Sequence, residues 1–224
     1  MTAVILQARI DSSRLPGKAL LLLDGEPVVF RVMEALNRVS ADLRVLACTE
    51  DSYSSFEPLV EKAGFDIFAG SKEDVLNRFC CVIRKYSIDR LIRATGDNPF
   101  VFADAACSIN NEALSHNADY AGYKGLPYGA GVESASAIAL LRAEIETVLP
   151  YDHEHVCPYL YNHPDLFNIH RPVAPEKWNY PDIRLTIDTQ EDFDRAAELY
   201  SALPEEELRY NGETIIKKCR EIFR

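Results

Sequence analysis

Short apolar runs alternate along the first half of the chain with longer segments in which apolar residues recur every three or four positions. The short runs predict strands and the longer segments predict amphipathic helices. The predicted strands are AVILQA, RVLACT, DIFAG and RLIRAT, at residues 3–8, 44–49, 66–70 and 90–95. The predicted helices are VVFRVMEALNRV, SSFEPLVEKAG, KEDVLNRFCCVIRKY and ADAACSINNEALSH, at residues 28–39, 54–64, 72–86 and 103–116. This alternation predicts βαβ units, and therefore an α/β fold with a mostly parallel sheet that carries helices on both faces.

The alternation breaks after residue 119, where a glycine-rich segment predicts strand ends and loops. Beyond it, the pattern predicts helices at 136–148 and 152–162, strands at 167–173 and 183–188, and closing helices at about 190–203 and 212–222. Pro158 interrupts the second of these helices. Because no repeat and no linker-like composition is visible, we expect a single domain over residues 1–224, with an excursion of loops and strands at about 120–185.

Charge and cysteine usage narrow the possible functions. The 224 residues carry a formal net charge of -11, which disfavours binding to nucleic acid or to an anionic membrane. An anionic ligand would therefore need a local basic pocket. No apolar run approaches the roughly 20 residues that span a bilayer, and the first apolar stretch lacks the basic flank of a signal peptide. The six cysteines form no CxxC motif, which is typical of reduced thiols in the cytoplasm.

The segment LQARIDSSRLPGKALL, at residues 6–21, is basic in an acidic chain and directly follows the first predicted strand. It contains three cations, two hydroxyl residues and one flexible position: Arg9, Arg14, Lys18, Ser12, Ser13 and Gly17. Ligands of open α/β sheets bind beyond the carboxyl ends of the strands, and Arg and Lys donors suit polyphosphate oxygens. The segment matches neither the Walker A motif nor GxGxxG. It predicts a phosphate-binding loop, with a solvated basic turn as the alternative.

Two aspartates follow predicted strands at the same edge of the sheet. Asp97 lies in RATGDNPF and Asp188 lies in RLTIDTQEDFDRA. One or two carboxylates together with substrate phosphates are the usual ligands of Mg²⁺, so the pair predicts a metal–triphosphate site. An Asp-Asn-Pro turn would also explain Asp97, and helix capping explains Thr189 and Asp192 without any function.

Three histidines lie close together in DHEHVCPYLYNHP, namely His153, His155 and His163. Their spacing matches no recognised zinc motif, and Pro158 prevents a single helical face. A structural role or contact with the substrate is therefore the better interpretation.

Five segments together resemble the spore coat polysaccharide biosynthesis protein F-like nucleotidyltransferases, relatives of the CMP-Kdo and CMP-sialic acid synthetases (the acylneuraminate cytidylyltransferase group). The segments are QARIDSSRLPGKAL, GSKEDVLNRF, RATGDNPF, EHVCPYLYNHPDLF and LTIDTQEDF, which together extend from residue 7 to residue 193. The resemblance implies a GT-A-like, Rossmann-like three-layer sandwich with a mixed, mostly parallel sheet of seven strands. The family commonly has Thr at the position of Cys157.

The resemblance also assigns residues to roles. It implies four catalytic residues, which are Lys18, Arg14, Asp97 and Asp188, and it gives the two aspartates to Mg²⁺. It implies a nucleotide site formed by Gln7, Ala8, Arg9, Ser12, Ser13, Arg14, Gly17, Lys18, Asp74, Arg78, Thr95, Gly96 and Asp97. Of these, the three cations of the basic loop would bind the triphosphate, and Asp74 and Arg78 would lie near the base. It implies acceptor contacts from Glu133, His155 and Tyr159.

The resemblance implies a Mg²⁺-dependent cytidylyltransferase that transfers a nucleotide from CTP, or another NTP, to a sugar or sugar acid for a surface glycan. Relatives often form dimers, so the excursion at about 120–185 would contact the acceptor and a second copy. One alternative is a glycosyltransferase, but its DxD motif would be Asp192-Phe193-Asp194, inside a predicted helix. The other is a catalytically silent nucleotide-binding protein.

Overall fold

The computed structural model describes residues 1–204 and 206–223, apart from the side chains of residues 206 and 207. The described part of the chain forms nine strands: β1 (Thr2–Gln7), β2 (Leu22–Leu23), β3 (Glu26–Pro27), β4 (Leu43–Thr49), β5 (Asp66–Gly70), β6 (Arg90–Thr95), β7 (Tyr120–Ala121), β8 (Glu133–Ser136) and β9 (Ile169–His170). It forms nine α-helices: α1 (Val28–Leu36), α2 (Tyr53–Ala63), α3 (Val75–Tyr86), α4 (Ala103–Ser115), α5 (Ala137–Glu146), α6 (Pro150–His155), α7 (Pro158–Asn162), α8 (Gln190–Ala202) and α9 (Gly212–Ile222). Short 3₁₀ turns occur at Lys18–Leu20, Glu50–Ser52 and Glu206–Tyr210.

Seven of the strands form one mixed sheet in the order β5-β4-β1-β6-β8-β7-β9. Strands β5, β4, β1 and β6 are parallel, whereas β8 is antiparallel to both of its neighbours. The central strand β1 is buried on both faces, as its continuous apolar run requires of a strand in a covered parallel sheet. The predicted α/β fold with a mostly parallel mixed sheet is therefore confirmed.

Helices cover both faces of the sheet and enclose separate apolar clusters. On one face α1, α2 and α4 pack residues such as Met33, Phe56 and Ile109 against the sheet. On the other face α3, α5 and α7 contribute residues such as Phe79 and Leu140. A third cluster joins α8 and α9 to Phe100, Phe102 and Trp178, at the end of the molecule where β6 terminates. The third cluster therefore supports the segment that carries Asp188.

The predicted strand at 183–188 does not join the sheet. Its backbone is extended, but it pairs with a loop instead, because the Tyr128 N–H donates to Ile183 O and the Leu185 N–H donates to Tyr128 O, each at 2.8 Å. Farther along, the Ile187 N–H donates to Asp97 O at 2.9 Å. Asp188 is thus placed by a backbone contact to Asp97 rather than by the end of a sheet strand.

Two other predictions need adjustment. The strand at 167–173 is reduced to the two residues of β9 at the edge of the sheet. The helix at 152–162 is divided into α6 and α7 at Val156, whose φ of 73° is incompatible with a continuous helix. Within the described residues, no helix is long and apolar enough to cross a membrane.

Candidate functional site

Both aspartates contact the same lysine. Lys18 Nζ lies 2.8 Å from Asp97 Oδ2 and 3.0 Å from Asp188 Oδ1, and it also donates to Ile187 O at 2.8 Å. Three segments that are distant in sequence therefore meet at one ammonium group. The lysine side chain is only 14% exposed, so these contacts are partly shielded from water.

Local backbone features explain why the segments meet. Gly17 adopts a φ of 69°, which lets the basic loop turn back after β1 and present Lys18 on a 3₁₀ turn. After β6, the Gly96 N–H donates to Gln7 O at 2.8 Å. A Cβ at Gly96 would lie 2.9 Å from the Cβ of Ala8, so only glycine allows the loops after β1 and β6 to approach this closely. Asp97 is the next residue.

Asp188 is surrounded by positive charge. Its Oδ1 accepts from Arg14 Nη2 at 2.8 Å as well as from Lys18, and its Oδ2 accepts from Arg184 Nη2 at 2.8 Å. Burial opposes ionisation of this carboxyl, but the hydrogen bond and charge of Lys18 outweigh it, with help from Arg184 and Arg14, and they lower the pKa of Asp188. The Arg14 side chain is 65% exposed, so its guanidinium can contact both Asp188 and a ligand from solution.

The capping prediction for the neighbouring helix is confirmed. Thr189 accepts from the backbone N–H of Asp192, and Asp192 accepts from that of Thr189, which forms a capping box at the start of α8. Asp192 also accepts from the Asp188 N–H at 3.0 Å and pairs with Arg184 at 2.9 Å. This carboxylate therefore orients the Asp188 segment and is already engaged in structural contacts.

The arrangement of Asp97 and Asp188 fits a small divalent cation. The two carboxylate oxygens converge on one ammonium nitrogen, so both are directed at a position that a cation occupies. No three His, Cys, Asp or Glu side chains within the described residues are placed to hold a metal ion together. A two-carboxylate set matches Mg²⁺, which usually takes its remaining ligands from water and substrate phosphates.

The three histidines have separate partners. His153 Nδ1 pairs with Asp74 at 2.9 Å, and His163 Nδ1 lies 2.7 Å from Tyr159 O. His155 packs against the Tyr151 ring. These contacts give the histidines different surroundings, and they do not converge on a common point.

Two of the residues expected near the base have structural partners. Asp74 caps α3 by accepting from the Asn77 N–H at 2.8 Å, and it pairs with His153. Arg78 is buried, and its Nη1 donates to Ser71 O at 2.6 Å while its Nε has no partner. Burial lowers the pKa of Arg78. Both residues shape the turn that follows β5.

The rest of the predicted nucleotide site is distributed along the basic loop and the end of β6. Arg9 is exposed and lies 3.9 Å from Asp11, which in turn pairs with Lys72. Ser13 is exposed as well. Thr95 Oγ1 accepts from the Asn98 amide at 2.7 Å. Arg9 and Ser13 are therefore accessible to a ligand from solution.

A second part of the site is a cavity of about 460 Å³ that shares its lining with the end of β6. Its lining includes two of the predicted acceptor residues, Glu133 and His155. Glu133 forms an ion pair with Arg93 and accepts from the Tyr120 hydroxyl at 2.8 Å. Arg93 Nε donates to Gln7 Oε1 at 3.0 Å. The predicted nucleotide residue Gln7 is thus connected to the cavity.

The structure does not place Tyr159 in this cavity. Its hydroxyl donates to Glu146 at 3.0 Å, and its ring packs edge-on against Phe167. Tyr161, two residues farther along the chain, lines the cavity instead. The helix α7 has only five residues and begins after the break at Val156, so sequence spacing alone could not identify which tyrosine faces inward.

Sequence reasoning missed further residues that line the cavity: Arg93, Asn98, Tyr120, Tyr123, Tyr128, Tyr151 and Tyr161. Arg93 carried the clearest signal, because a charged residue inside an otherwise apolar strand needs a partner. The tyrosines carried no comparable signal, since aromatic residues are equally common in structural cores.

Comparisons with known proteins identify the family to which this chain is similar. A model of the cytidylyltransferase family matches residues 3–215. Over 203 residues the chain is 36% identical to the spore coat polysaccharide biosynthesis protein SpsF of Bacillus subtilis (strain 168), which covers 88% of this chain and 85% of that protein.

Solved structures show the same fold. A cytidylyltransferase from Leptospira borgpetersenii serovar Hardjo-bovis (strain JB197) superposes with a TM-score of 0.89 at 24% identity, over 98% of this chain and 94% of that chain. The CMP:2-keto-3-deoxy-manno-octonic acid synthetase complexed with CTP superposes with a TM-score of 0.69 at 16% identity, over 89% and 98% of the two chains. A Mycobacterium tuberculosis H37Rv protein in complex with manganese superposes with a TM-score of 0.60 at 16% identity, over 88% and 97%. With a family model matched from residue 3 to residue 215 and 36% identity to SpsF over most of both chains, this chain belongs to the cytidylyltransferase family and is a nucleotidyltransferase.

Proposed function

We propose that this protein transfers CMP from CTP to a hydroxyl of a sugar or sugar acid. In this reaction the acceptor oxygen attacks the α-phosphorus of CTP, and the bond from that phosphorus to the bridging oxygen of the β-phosphate breaks. Pyrophosphate leaves, and the proton of the hydroxyl passes to solvent. The product is a CMP-activated sugar, which would serve the synthesis of a surface polysaccharide, as the similarity to SpsF suggests.

The observation that carries the proposal is the contact of Lys18 with both Asp97 and Asp188, with Arg14 beside it. In-line transfer at phosphorus depends mostly on positioning and on neutralising charge. We assign Lys18, Arg14 and Arg9 to the triphosphate, together with Ser12, Ser13 and the backbone of the basic loop. Donors held at fixed positions lower the barrier because they need no reorganisation when charge moves to the leaving group.

We assign Asp97 and Asp188 to Mg²⁺. When bound there, the metal would act as a Lewis acid that neutralises the oxygens of the α-phosphate. The related fold that holds manganese supports a divalent metal in general. The two aspartates would keep this cation at the end of β6, between the basic loop and the cavity lined by Glu133.

We assign the cavity of about 460 Å³ to the acceptor. Glu133, Arg93 and Tyr120 form a hydrogen-bonded network in its wall, which can hold the hydroxyl groups of a sugar in one orientation. The segment at about 120–185 provides most of the remaining lining, in agreement with its expected role on the acceptor side. The six cysteines are all free thiols, which suits a reducing compartment such as the cytoplasm, where CTP is available.

Asp192 argues against the glycosyltransferase alternative. That alternative would require the Asp192-Phe193-Asp194 motif to hold a metal and a nucleotide sugar. Asp192 is occupied as the cap of α8 and as the partner of Arg184, and Asp194 accepts from Gln190 within the same helix.

We also propose that two copies associate through an apolar surface on α5 and the residues that follow it. Its side chains are Ile138, Ile145, Val148 and Leu149, which are 79%, 80%, 86% and 57% exposed. Exposed apolar patches of this kind mark interaction sites. Tyr151 adjoins this surface and also lines the acceptor cavity, so association would stabilise one wall of the cavity.

A thermal-shift and product assay tests the enzymatic proposal. We expect CTP with Mg²⁺ to raise the melting temperature more than UTP, GTP or ATP does. A ligand at 100 times its Kd adds about 2.7 kcal/mol of stability, so binding is readily detected. EDTA should remove most of this effect, since two aspartates would repel the phosphates. Release of pyrophosphate from CTP, dependent on an added sugar, would establish the reaction. Hydrolysis of a sugar nucleotide would favour the glycosyltransferase, and binding without turnover would favour a silent protein.

A further inference from the structure

Arg184 lies beside the proposed metal site and is held by three side chains. Its Nη2 donates to Asp188 Oδ2 at 2.8 Å, and its Nε donates to Asp192 Oδ1 at 2.9 Å. Its Cζ lies 5.1 Å from the centroid of the Tyr128 ring. Although the Arg184 side chain is 43% exposed, its guanidinium therefore has a defined orientation.

Two of the partners of Arg184 are themselves anchored to the backbone. Asp192 Oδ2 accepts from the backbone N–H groups of Asp188 and Thr189, each at 3.0 Å, which fixes this carboxylate at the start of α8. Tyr128 is joined to Arg184 by a parallel backbone bridge, so its ring stays beside the guanidinium. The orientation of Arg184 is thus set by elements on both sides of it.

The two carboxylate oxygens of Asp188 have different partners. Oδ1 accepts from Lys18 and Arg14, and the same Lys18 ammonium contacts Asp97. Oδ2 accepts from Arg184. A rotation of the carboxylate that brought both oxygens to one cation beside Asp97 would break the hydrogen bond from Arg184. Arg184 therefore commits one oxygen of Asp188 and leaves the other available.

We infer that Arg184 is a positioning residue that makes Asp188 a metal ligand through one oxygen only, and that it thereby selects Mg²⁺ over Ca²⁺. This inference rests on the proposed function, which assigns Asp97 and Asp188 to the metal. Mg²⁺ demands a near-octahedral set of ligands, whereas Ca²⁺ takes more oxygens and accepts a carboxylate through one oxygen or both. A carboxylate with one oxygen held by a guanidinium suits the smaller cation. Hydrogen-bond partners of this kind commonly orient the side chains that bind a metal.

Isothermal titration of the protein with CTP, in an excess of Mg²⁺ or of Ca²⁺, tests the inference without an acceptor and without turnover. We expect the wild type to bind CTP more tightly with Mg²⁺ than with Ca²⁺. Arg184→Gln should raise the Kd of CTP with Mg²⁺ about tenfold or more, as loss of a partner of a metal ligand does. The Kd with Ca²⁺ should change less than about threefold, because Ca²⁺ can use both oxygens of the released carboxylate.

The ratio of the two Kd values separates positioning from a purely structural role. A residue that only stabilises the fold, or only adds charge, would affect binding with both cations alike. An equal rise of both Kd values in Arg184→Gln, no change in either, or a wild type that does not prefer Mg²⁺ overturns the inference.

Two further variants separate geometry from charge and from folding. Arg184→Lys keeps the positive charge, but its single nitrogen cannot reproduce the fork that contacts Asp188 and Asp192. It should recover only part of the lost preference for Mg²⁺, and complete recovery would overturn the positioning role. Asp192→Asn keeps an oxygen that can accept from the backbone N–H groups but loses the ion pair with Arg184. It should weaken the preference for Mg²⁺, and an unchanged preference overturns the inference if Arg184→Gln does not fold.

Arg142→Gln is the matched control. Arg142 is 43% exposed, as Arg184 is, and it also pairs with a carboxylate four residues later, that of Glu146, at 2.8 Å. It lies on α5 and makes no contact with either proposed metal ligand. Its replacement removes the same charge and the same kind of ion pair, and it should leave both Kd values unchanged.

The inference and the proposed function fail in different ways. If the wild type does not bind CTP with Mg²⁺, the proposed function is wrong and the inference falls with it. If the wild type binds CTP with Mg²⁺ but Arg184→Gln retains the same preference between the two cations, only the inference is wrong.

Discussion

Lys18 is central to the geometry of the candidate site, because its one ammonium group contacts two carboxylates. The hydrogen bonds to Asp97 and Asp188 hold these two groups close together. A metal ion between the aspartates would compete with this ammonium for the same oxygens. Lys18 would then be displaced toward the triphosphate, to which the proposed function assigns it. Under the proposed function, the lysine would therefore take the position of the metal in the free protein and contact the nucleotide in the complex.

The variant Lys18→Ala separates these two roles. We expect it to weaken binding of CTP with Mg²⁺ by about tenfold or more, because a charge-assisted contact to the phosphates is lost. Binding of Mg²⁺ alone should become stronger, since the competing ammonium is gone. Isothermal titration with each ligand measures both effects. Arg14→Ala is the matched variant, because its exposed guanidinium contacts only Asp188 of this pair. It should weaken CTP binding with a smaller effect on Mg²⁺ alone.

The aspartates themselves can be tested by turnover. If Asp97 and Asp188 share one metal ion, Asp97→Asn and Asp188→Asn should each reduce kcat by on the order of 10², as removal of a comparable transition-state stabiliser does. The double variant should be scarcely slower than either single variant, because residues that act as one unit are not additive. Kinetics of pyrophosphate release measure all three variants.

Thermal denaturation supplies the control for these variants. Asp188 has three cationic partners in the structure and Asp97 has one, so Asp188→Asn should lower the melting temperature more than Asp97→Asn. Intact turnover together with a lower melting temperature would show that Asp188 is structural and that the shared metal site is wrong.

At the scale of elements, the sequence was most informative where each strand or helix is specified by its own residues. The four strands and four helices of the first half are present, with ends that shift by a few residues. The interruption predicted from Pro158 is present, with the break at Val156 and Pro158 as the first residue of α7, and so is the capping box at Thr189. These features depend on local chemistry, namely burial on both faces, a missing N–H donor and a side-chain acceptor.

The segment 183–188 shows what local patterns could not provide. Its apolar residues predicted a strand, and its backbone is indeed extended, but its hydrogen-bond partners are a loop residue, Tyr128, and the turn residue Asp97. A hydrogen-bond partner in a distant loop does not change the spacing of apolar residues in either segment, so the sequence pattern cannot reveal it. The proximity of Asp97 and Asp188 was predicted from sheet edges, whereas it arises from this backbone contact.

The contact between α6 and the start of α3 depends on pH. His153 on α6 pairs with Asp74, whose hydrogen bond raises the pKa of His153 above the ordinary value of about 6.5. The folded state therefore binds a proton more tightly than the unfolded state does. The resulting stability is fully present below about pH 6.5, and it is lost as the pH rises through the higher pKa of the folded protein.

Urea denaturation between pH 5.5 and pH 8.5 tests this linkage. We expect the free energy of unfolding of the wild type to fall across this range relative to that of His153→Gln. Asp74→Asn should weaken the pH dependence of the free energy of unfolding as His153→Gln does, because it removes the partner that raises the pKa of His153. His155→Gln is the control, since His155 packs against Tyr151 and has no carboxylate partner among the described residues. Parallel pH profiles for the wild type and His153→Gln would contradict the linkage.

At the scale of the whole molecule, an acidic chain concentrates positive charge where anions must bind. The net charge of -11 repels polyanions from most of the surface, while Arg9, Arg14 and Lys18 make one edge of the sheet locally attractive. Most residues that line the proposed acceptor cavity, and all those of the apolar surface on α5, lie in the part of the chain that follows β6. The proposed binding of the acceptor and the proposed association between copies therefore involve the same part of the fold.

Association through this surface makes a prediction about mass and about mutation. We expect the protein to sediment at about twice the 25.2 kDa of one chain. In a two-fold symmetric interface each substitution acts twice, so Ile145→Glu should place two charges in the apolar contact and produce monomers. Leu114→Glu is the matched control, because Leu114 is 50% exposed on α4, away from this surface, and its replacement should leave the dimer intact. Analytical ultracentrifugation at micromolar concentration measures the mass.

If the wild type sediments as a monomer, the proposed association through this surface is wrong. If Ile145→Glu instead remains dimeric, the two copies associate through another surface.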